Sequence, residues 1–262
     1  MHQLIHCDQD TITCAKSDPA AGKNLCRELE KGNILFFPTM PFPFSAEGKD
    51  FLLKQKKTRN PNNRYIAYKP HRDALTNLSA MPKEEKDCFL EIMRNYSYAN
   101  SAFLSEILSS YHASWRLDYA TLCLPKARTA VGRYGAMQID AFPARPTHGS
   151  RILHFFSNID PHESVYWASS YDFSEILDRY KASYLIRRWK KHGPPKSKNF
   201  LNSLKKWGKF VGLNLAPRSP YDELMLQLQQ MLKKDGKLQQ EEKKCQWIFP
   251  PGSCWLVFTD QR

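Results

Sequence analysis

The sequence predicts an α+β chain, mainly β with helices, in which helices precede a strand-rich body that takes a long helical insertion. Three observations point there. Short apolar runs bounded by Gly or Pro recur, as in Ile34-Leu35-Phe36-Phe37 before Pro38. An apolar stripe at helical spacing follows Pro82, and helix-forming sequence returns between about residues 172 and 235.

Taken in order, residues 21–31 form a short helix ending at Gly32, and Asn33 to Phe37 form a buried strand closed by Pro38. Pro82 suits the first turn of a helix, since its missing N–H would have no partner there. Cys88, Phe89, Ile92, Met93, Tyr96, Phe103, Ile107 and Leu108 then mark one face, whose ordinary use is core packing. Further strands are expected around residues 119–124, 129–142, 151–159, 245–249 and 253–259.

The chain has 262 residues, of which 42% are hydrophobic, enough to bury one substantial core. A single domain spanning residues 1–262 is expected, with a basic helical insertion at about 172–240. No run of about 18 apolar residues suggests a membrane span, and the N-terminus lacks a basic region followed by an apolar one. The seven cysteines are scattered and contain no C-x-x-C pair, which suits reduced thiols in a cytoplasm.

Charge is concentrated in one stretch. Between Arg179 and Arg218 there are twelve basic residues, among them Arg187, Arg188, Lys190, Lys191, Lys205 and Lys206, and no acidic one. The net charge of the whole chain is +13. Trp189, Phe200 and Trp207 lie among these cations, the composition of a segment that meets an anionic surface with an apolar layer beneath. A solvated basic face has the same composition. Basic residues with aromatics also make tracks for single-stranded RNA or DNA. No RNP-like strand, Gly-x-x-Gly clamp or zinc-finger spacing accompanies them, so no nucleic-acid partner is expected.

The richest stretch runs from Gln138 through Asp140-Ala141-Phe142-Pro143, Arg145-Pro146, Gly149, Arg151-Ile152-Leu153 and Phe156-Ser157-Asn158. It resembles the hydroxylases of Kdo (3-deoxy-D-manno-oct-2-ulosonic acid), in which this stretch begins His-x-Asp-Ala-Phe-Pro. The Leu29 to Pro38 segment, Arg64 to Tyr68, Tyr221 to Leu228 and Phe249-Pro250-Pro251-Gly252-Ser253-Cys254-Trp255 are similar to the family in the same order, over roughly residues 25 to 262. The resemblance implies a double-stranded β-helix, or jelly roll, and an Fe(II)- and 2-oxoglutarate-dependent dioxygenase that uses O2 to hydroxylate Kdo in lipopolysaccharide.

Such an oxygenase holds iron by two His and one carboxylate on one face. His-x-Asp supplies two of them, because strand residues i and i+2 project to the same side. Asp140 stands at the carboxylate position and Gln138 at the His position, where it offers only a neutral amide oxygen. The family's second His follows a Thr-Asp-Gln element, and here Thr259-Asp260-Gln261 leads to the final Arg262. A C-terminally truncated jelly roll with an open edge, and an impaired or inactive catalyst, are therefore expected.

The resemblance makes Arg151 and Arg145 candidates to meet the far carboxylate of 2-oxoglutarate or the carboxylate of the sugar, although either Arg can simply neutralise Asp140. His148 and His154 are the imidazoles nearest Asp140 in sequence. His148 is expected in a surface turn after Pro146, and His154 on the following strand, touching substrate or filling the core. Gln229 falls where relatives usually carry His. Kdo-lipid A or a related precursor is the implied partner, met by a cytoplasmic protein peripheral on the inner membrane. The alternative of another class is a non-catalytic binding protein for anionic glycolipid, or for RNA.

Overall fold

The computed structural model describes residues 3–55, 65–76, 81–111, 114–123, 139–143, 145–169, 173–180, 218–240 and 245–260. Gln138 and the residues from 181 to 217 lie outside these, and with them most of the basic stretch.

The described chain opens with β1 (Leu4–His6), α1 (Gln9–Ser17), α2 (Pro19–Glu30) and β2 (Ile34–Phe37). Local chemistry sets these boundaries. Asp8 accepts from the Thr11 N–H at 2.8 Å to cap α1, and Asp18 accepts from the Ala20 N–H at 2.8 Å to cap α2. Pro19 begins α2, and Gly32 adopts φ 83° beyond its end, where a Cβ would be strained. Next come α3 (Ala46–Lys54), β3 (Tyr65–Lys69), β4 (Ala74–Thr76), α4 (Lys83–Ile107) and β5 (Ala120–Cys123). Pro82 occupies the N-cap position of α4.

The second half contains β6 (Leu153–Ser157), β7 (Val165–Ser169), α5 (Phe173–Tyr180), α6 (Pro220–Lys234), α7 (Gly236–Gln240), β8 (Cys245–Phe249) and β9 (Cys254–Phe258). Ser219 and Asp222 close a reciprocal capping box at the start of α6.

Among the described residues the strands form three sheets, ordered β1-β2-β9-β6, β4-β3-β5 and β7-β8. β9 is interior, pairing with β2 through Phe36↔Trp255 and with β6 through Phe155↔Leu256. The last described strand is thus paired on both sides.

Side-chain alternation assigns the two faces of this sheet. Leu35, Phe37, Leu256 and Phe258 join α2 and α4 in one core, with Leu29, Phe103 and Ile107. Ile34, Phe36, Trp255 and Val257 meet Phe249 on the opposite face, where Trp255 stacks on Phe249 at 3.9 Å and on Phe156 at 5.0 Å. Burial on both faces explains why β2 and β9 read as unbroken apolar runs. Each fully buried large side chain, such as Phe37 or Leu256, contributes roughly 1.5–3 kcal/mol.

The helical stripe after Pro82 is core as expected at Phe89, Met93, Phe103, Ile107 and Leu108, whereas Cys88 is exposed. In the insertion, α5, α6 and α7 converge on a third cluster, in which Ile176, Leu228, Leu232 and Leu238 enclose Ile139 and Ala141. The helices therefore hold the segment that carries Asp140.

Candidate metal and cofactor site

Residues 139–142 have no strand pairing of their own, contrary to the expected strand through 142. Two hydrogen bonds set their course instead. The Asp140 N–H donates to the Thr259 carbonyl at 3.1 Å, and the Ile139 carbonyl accepts from Gln229 Nε2 at 2.8 Å. A side chain thus takes the acceptor that a neighbouring strand would otherwise use, and Pro143 has no N–H with which to extend a ladder. Gln229 thus supplies the donor that fixes the residue before Asp140.

Beside Asp140 lies a small cavity of about 10 Å³, room for about one water molecule, whose lining includes Thr147, Tyr221, Asp222 and Asp260. Asp222 is satisfied: it accepts from the Thr147 N–H at 2.6 Å, the His148 N–H at 3.2 Å, the Ser219 N–H at 2.9 Å and the Ser219 hydroxyl at 2.6 Å. Burial alone would raise its pKa, but these donors outweigh that and hold it below the usual carboxylate value. Its role is to pin the Thr147-His148 turn to the N-terminus of α6.

Asp260 is the opposite case. Its side chain is only 2% exposed, and burial raises its pKa despite the nearby charge of Arg151. Tyr221 donates to Oδ2 at 3.2 Å, while Arg151 Nε lies 3.6 Å from Oδ1. Arg151 also donates to Glu30 at 2.6 Å and rests on the Phe258 ring at 3.7 Å. Its guanidinium is thus shared between two carboxylates.

Arg145 is held differently. Its guanidinium lies between the rings of Tyr119 and Phe142, 3.8 Å and 4.2 Å from their centroids, and donates to Asp118.

His148 has φ 54° in an exposed turn, and its Nδ1 lies 3.8 Å from Asp222. His154 is on β6, with Nδ1 3.5 Å from Asp140 Oδ2 and its ring edge-on to Phe156 at 5.3 Å. Burial lowers the His154 pKa below the ordinary imidazole value, against the opposing pull of Asp140. Of the sequence-predicted residues, the structure brings His154 to Asp140 and sends His148 to Asp222. Among the described residues, no group of three or more His, Cys, Asp or Glu is placed to hold a metal ion. Gln138, Arg187, Arg188, Lys190, Lys191, Lys205 and Lys206 lie outside the described residues.

Asn158, quoted in the sequence only as part of a motif, anchors the turn before β9. Its Nδ2 donates to the carbonyls of Glu163, Phe249 and Pro250 at 2.9–3.2 Å. Gly252 then turns at φ 75° and donates to the Asn158 carbonyl at 2.9 Å. This lock places Thr259 beside Asp140.

The model of the 3-deoxy-D-manno-oct-2-ulosonic acid (Kdo) hydroxylase family matches residues 13–262. The chain belongs to the Kdo hydroxylase family. Solved structures agree. The Kdo hydroxylase KdoO, a non-heme Fe(II) alpha-ketoglutarate-dependent dioxygenase, in complex with alpha-ketoglutarate and Fe(III), is 27% identical. That match has a TM-score of 0.76 and covers 99% of this chain and 83% of KdoO. KdoO with cobalt(II) matches at a TM-score of 0.75 and 27% identity, over 98% of this chain and 82% of the other. KdoO with succinate and Fe(III) matches at 0.73 and 27% identity over the same shares. No curated protein matches. The α+β fold is therefore that of the Kdo hydroxylase dioxygenases, which are oxidoreductases. No helix of the described residues is long and apolar enough to cross a membrane.

Proposed function

We propose that this chain is a Kdo-hydroxylase-type Fe(II)/2-oxoglutarate oxygenase with reduced or lost catalytic capacity, acting on or binding Kdo-lipid A or a related lipopolysaccharide precursor. The carrying observation is the fixed position of Asp140, tied to Thr259 and backed by Gln229, in a chain whose adjacent ligand position holds Gln138. Asp140 offers the carboxylate oxygen of such a site, and His154 Nδ1 lies 3.5 Å from its Oδ2. Bound iron with 2-oxoglutarate and O2 would supply the oxidising power to hydroxylate a sugar carbon. Asp140 would hold the ion, and Gln138 would add at most an amide oxygen.

Arg145 is the better placed of the two candidate arginines to receive an anionic ligand. Its guanidinium is oriented by two aromatic faces and neutralised by one carboxylate, whereas Arg151 serves Glu30 and Asp260. The basic stretch from Arg179 to Arg218 would hold the protein to an anionic surface at the cytoplasmic face of the inner membrane. Each engaged Lys or Arg there contributes about 1 kcal/mol.

A second reading is favoured by the same basic stretch together with Gln138: a non-catalytic protein that binds anionic glycolipid. An anaerobic Fe(II) titration with 2-oxoglutarate separates the two. A saturable visible charge-transfer band, with succinate formed when O2 is admitted, supports the oxygenase. Absence of both in the natural sequence, with gain of both in Gln138→His, supports an oxygenase site inactivated at one ligand. Absence in both proteins, with selective flotation on liposomes carrying Kdo-lipid A, supports the binding protein. RNA co-purifying through moderate salt, without flotation, would overturn the glycolipid partner.

A further inference from the structure

One face of the β4-β3-β5 sheet is core and the other is not. Strand alternation places Ile66, Tyr68, Leu75, Ala120 and Leu122 on the side that meets Phe89 and Met93 of α4. Ala67, Lys69, Ala74, Thr76 and Thr121 therefore project from the opposite side, and none of them is buried. Tyr119 precedes Ala120, which pairs with Tyr68, so the same register sets Tyr119 across from Lys69. Lys69 Nζ lies over the Tyr119 ring, 5.7 Å from its centroid, and the Arg145 guanidinium lies 3.8 Å from the same centroid. Two cations thus share one ring, within about a Debye length of each other.

Their charge is only partly matched. Arg145 donates to Asp118, while among the described residues no carboxylate pairs with Lys69. Phe142, the other ring against Arg145, follows Asp140 by two positions, so the cations stand where this sheet face adjoins the Asp140 segment. We propose that Lys69 and Arg145, set about the Tyr119 ring, bind the carboxylate of a sugar acid, whose ring then lies on the face made by Ala67, Thr76 and Thr121. The inference rests on the reading that the chain takes a Kdo-bearing ligand; it adds Lys69 as a binding residue and requires no metal. Charge complementarity selects the anion, since two cations are met by one carboxylate of the protein. The small side chains of Ala67 and Ala74 leave room above the sheet, and the hydroxyls of Thr76 and Thr121 suit a ring that carries hydroxyl groups. Thr76 donates to the Ala67 carbonyl at 3.2 Å, which leaves its oxygen lone pairs to accept.

The test uses the full chain without added metal and two probes, the methyl glycoside of Kdo and the methyl ester of that glycoside, which differ in the charge of the carboxyl group. Binding is followed by ligand-observed NMR at millimolar probe. The natural sequence should bind the acid more tightly than the ester. Lys69→Gln should weaken the acid about tenfold, the loss of one charge-assisted contact, and leave the ester nearly unchanged. Lys69→Arg, which keeps the cation, should recover most of that loss. Arg145→Gln should likewise penalise the acid more than the ester. A residue that only supports the sheet would weaken both probes alike.

Three results would overturn the proposal. Equal losses for acid and ester in Lys69→Gln, in a protein whose thermal melting is unchanged, remove Lys69 from the carboxylate and leave Kdo binding elsewhere on the chain standing. Displacement of the acid by inorganic phosphate or 2-oxoglutarate at equal concentration makes the two cations a site for those anions and not for the sugar. No binding of either probe removes this inference alone where liposomes carrying Kdo-lipid A still capture the chain, and removes the reading on which it rests where they do not.

Discussion

Gln229 Nε2 donates to the Ile139 carbonyl at 2.8 Å, across ninety positions of sequence, joining α6 to the residue just before Asp140. Ile139 is fully buried, so its carbonyl has no ready replacement partner in water. Gln229→Leu is isosteric enough to keep the packing of α6 while removing the donor. A loss of about 1–3 kcal/mol is expected by urea denaturation, the cost of leaving a buried acceptor unsatisfied. Gln229→His, which restores a ring N–H donor, should recover part of it. Equal losses in both variants would show that the amide contributes through packing alone.

Arg151 answers to two carboxylates, and only one of them is buried. Glu30 is half exposed, so its bond to Arg151 contributes little. Asp260 is 2% exposed, and removing its cation strands a charge. Arg151→Met should therefore destabilise by about 3 kcal/mol at neutral pH. The sign with pH follows from the raised pKa of Asp260. A group whose folded pKa lies above its unfolded value costs stability as pH rises through the folded value. Loss of Arg151 raises that pKa further, so the penalty should shrink toward acid, and Asp260→Asn in the same chain should relieve much of it. Denaturant midpoints of the four proteins of this cycle, between pH 4 and 8, decide the matter.

The sheet was legible where burial on both faces leaves an unbroken apolar run between turn residues. Ile34 to Phe37 lies between Gly32 and Pro38, and Cys254 to Phe258 follows Gly252. β1 and β7 were not legible. Leu4–His6 is a three-residue strand, too short to show alternation, and Val165–Ser169 pairs with β8 about eighty residues away. The site was half legible. Asp140 stood out through its motif, and the expected surface turn at His148 is where that residue lies. The Gln229 and His154 contacts to the Asp140 segment depend on the fold, because neither spacing repeats a local period. A capping box at Ser219-Pro220-Tyr221-Asp222 was available in the sequence, and it locates both the start of α6 and one wall of the cavity.

The sandwich of Arg145 between Tyr119 and Phe142 gives a prediction that separates shape from charge. Arg145→Lys keeps the cation and loses the guanidinium over the two rings and its Nη1 donor to Asp118. About 0.5–2 kcal/mol of stability should be lost, within the range for a partly desolvated cation–π contact. If Arg145 receives an anion, the same variant should weaken 2-oxoglutarate or Kdo binding more than Tyr119→Leu does. Calorimetric titration of each ligand into the folded variants measures that difference.

Asp222 makes the clearest acid-dependent contribution. Its carboxylate accepts four hydrogen bonds to Thr147, His148 and Ser219, so Asp222→Asn, which can accept at one oxygen only, should cost about 2–3 kcal/mol at pH 7. Its folded pKa is depressed, so its stabilisation is fully present above the unfolded value of about 3.9 and is lost as pH falls through the folded value. The natural sequence and Asp222→Asn should therefore differ most at neutral pH, begin to converge below about pH 4, and meet only below the depressed folded value. The Thr147-His148 turn depends on the same carboxylate, so its amide protons should exchange faster in the variant at pH 7 than in the natural chain. A stability gap that stays constant from pH 7 to pH 3 would mean that a neutral side chain serves as well, and that the ionised carboxylate is not what holds the turn to α6.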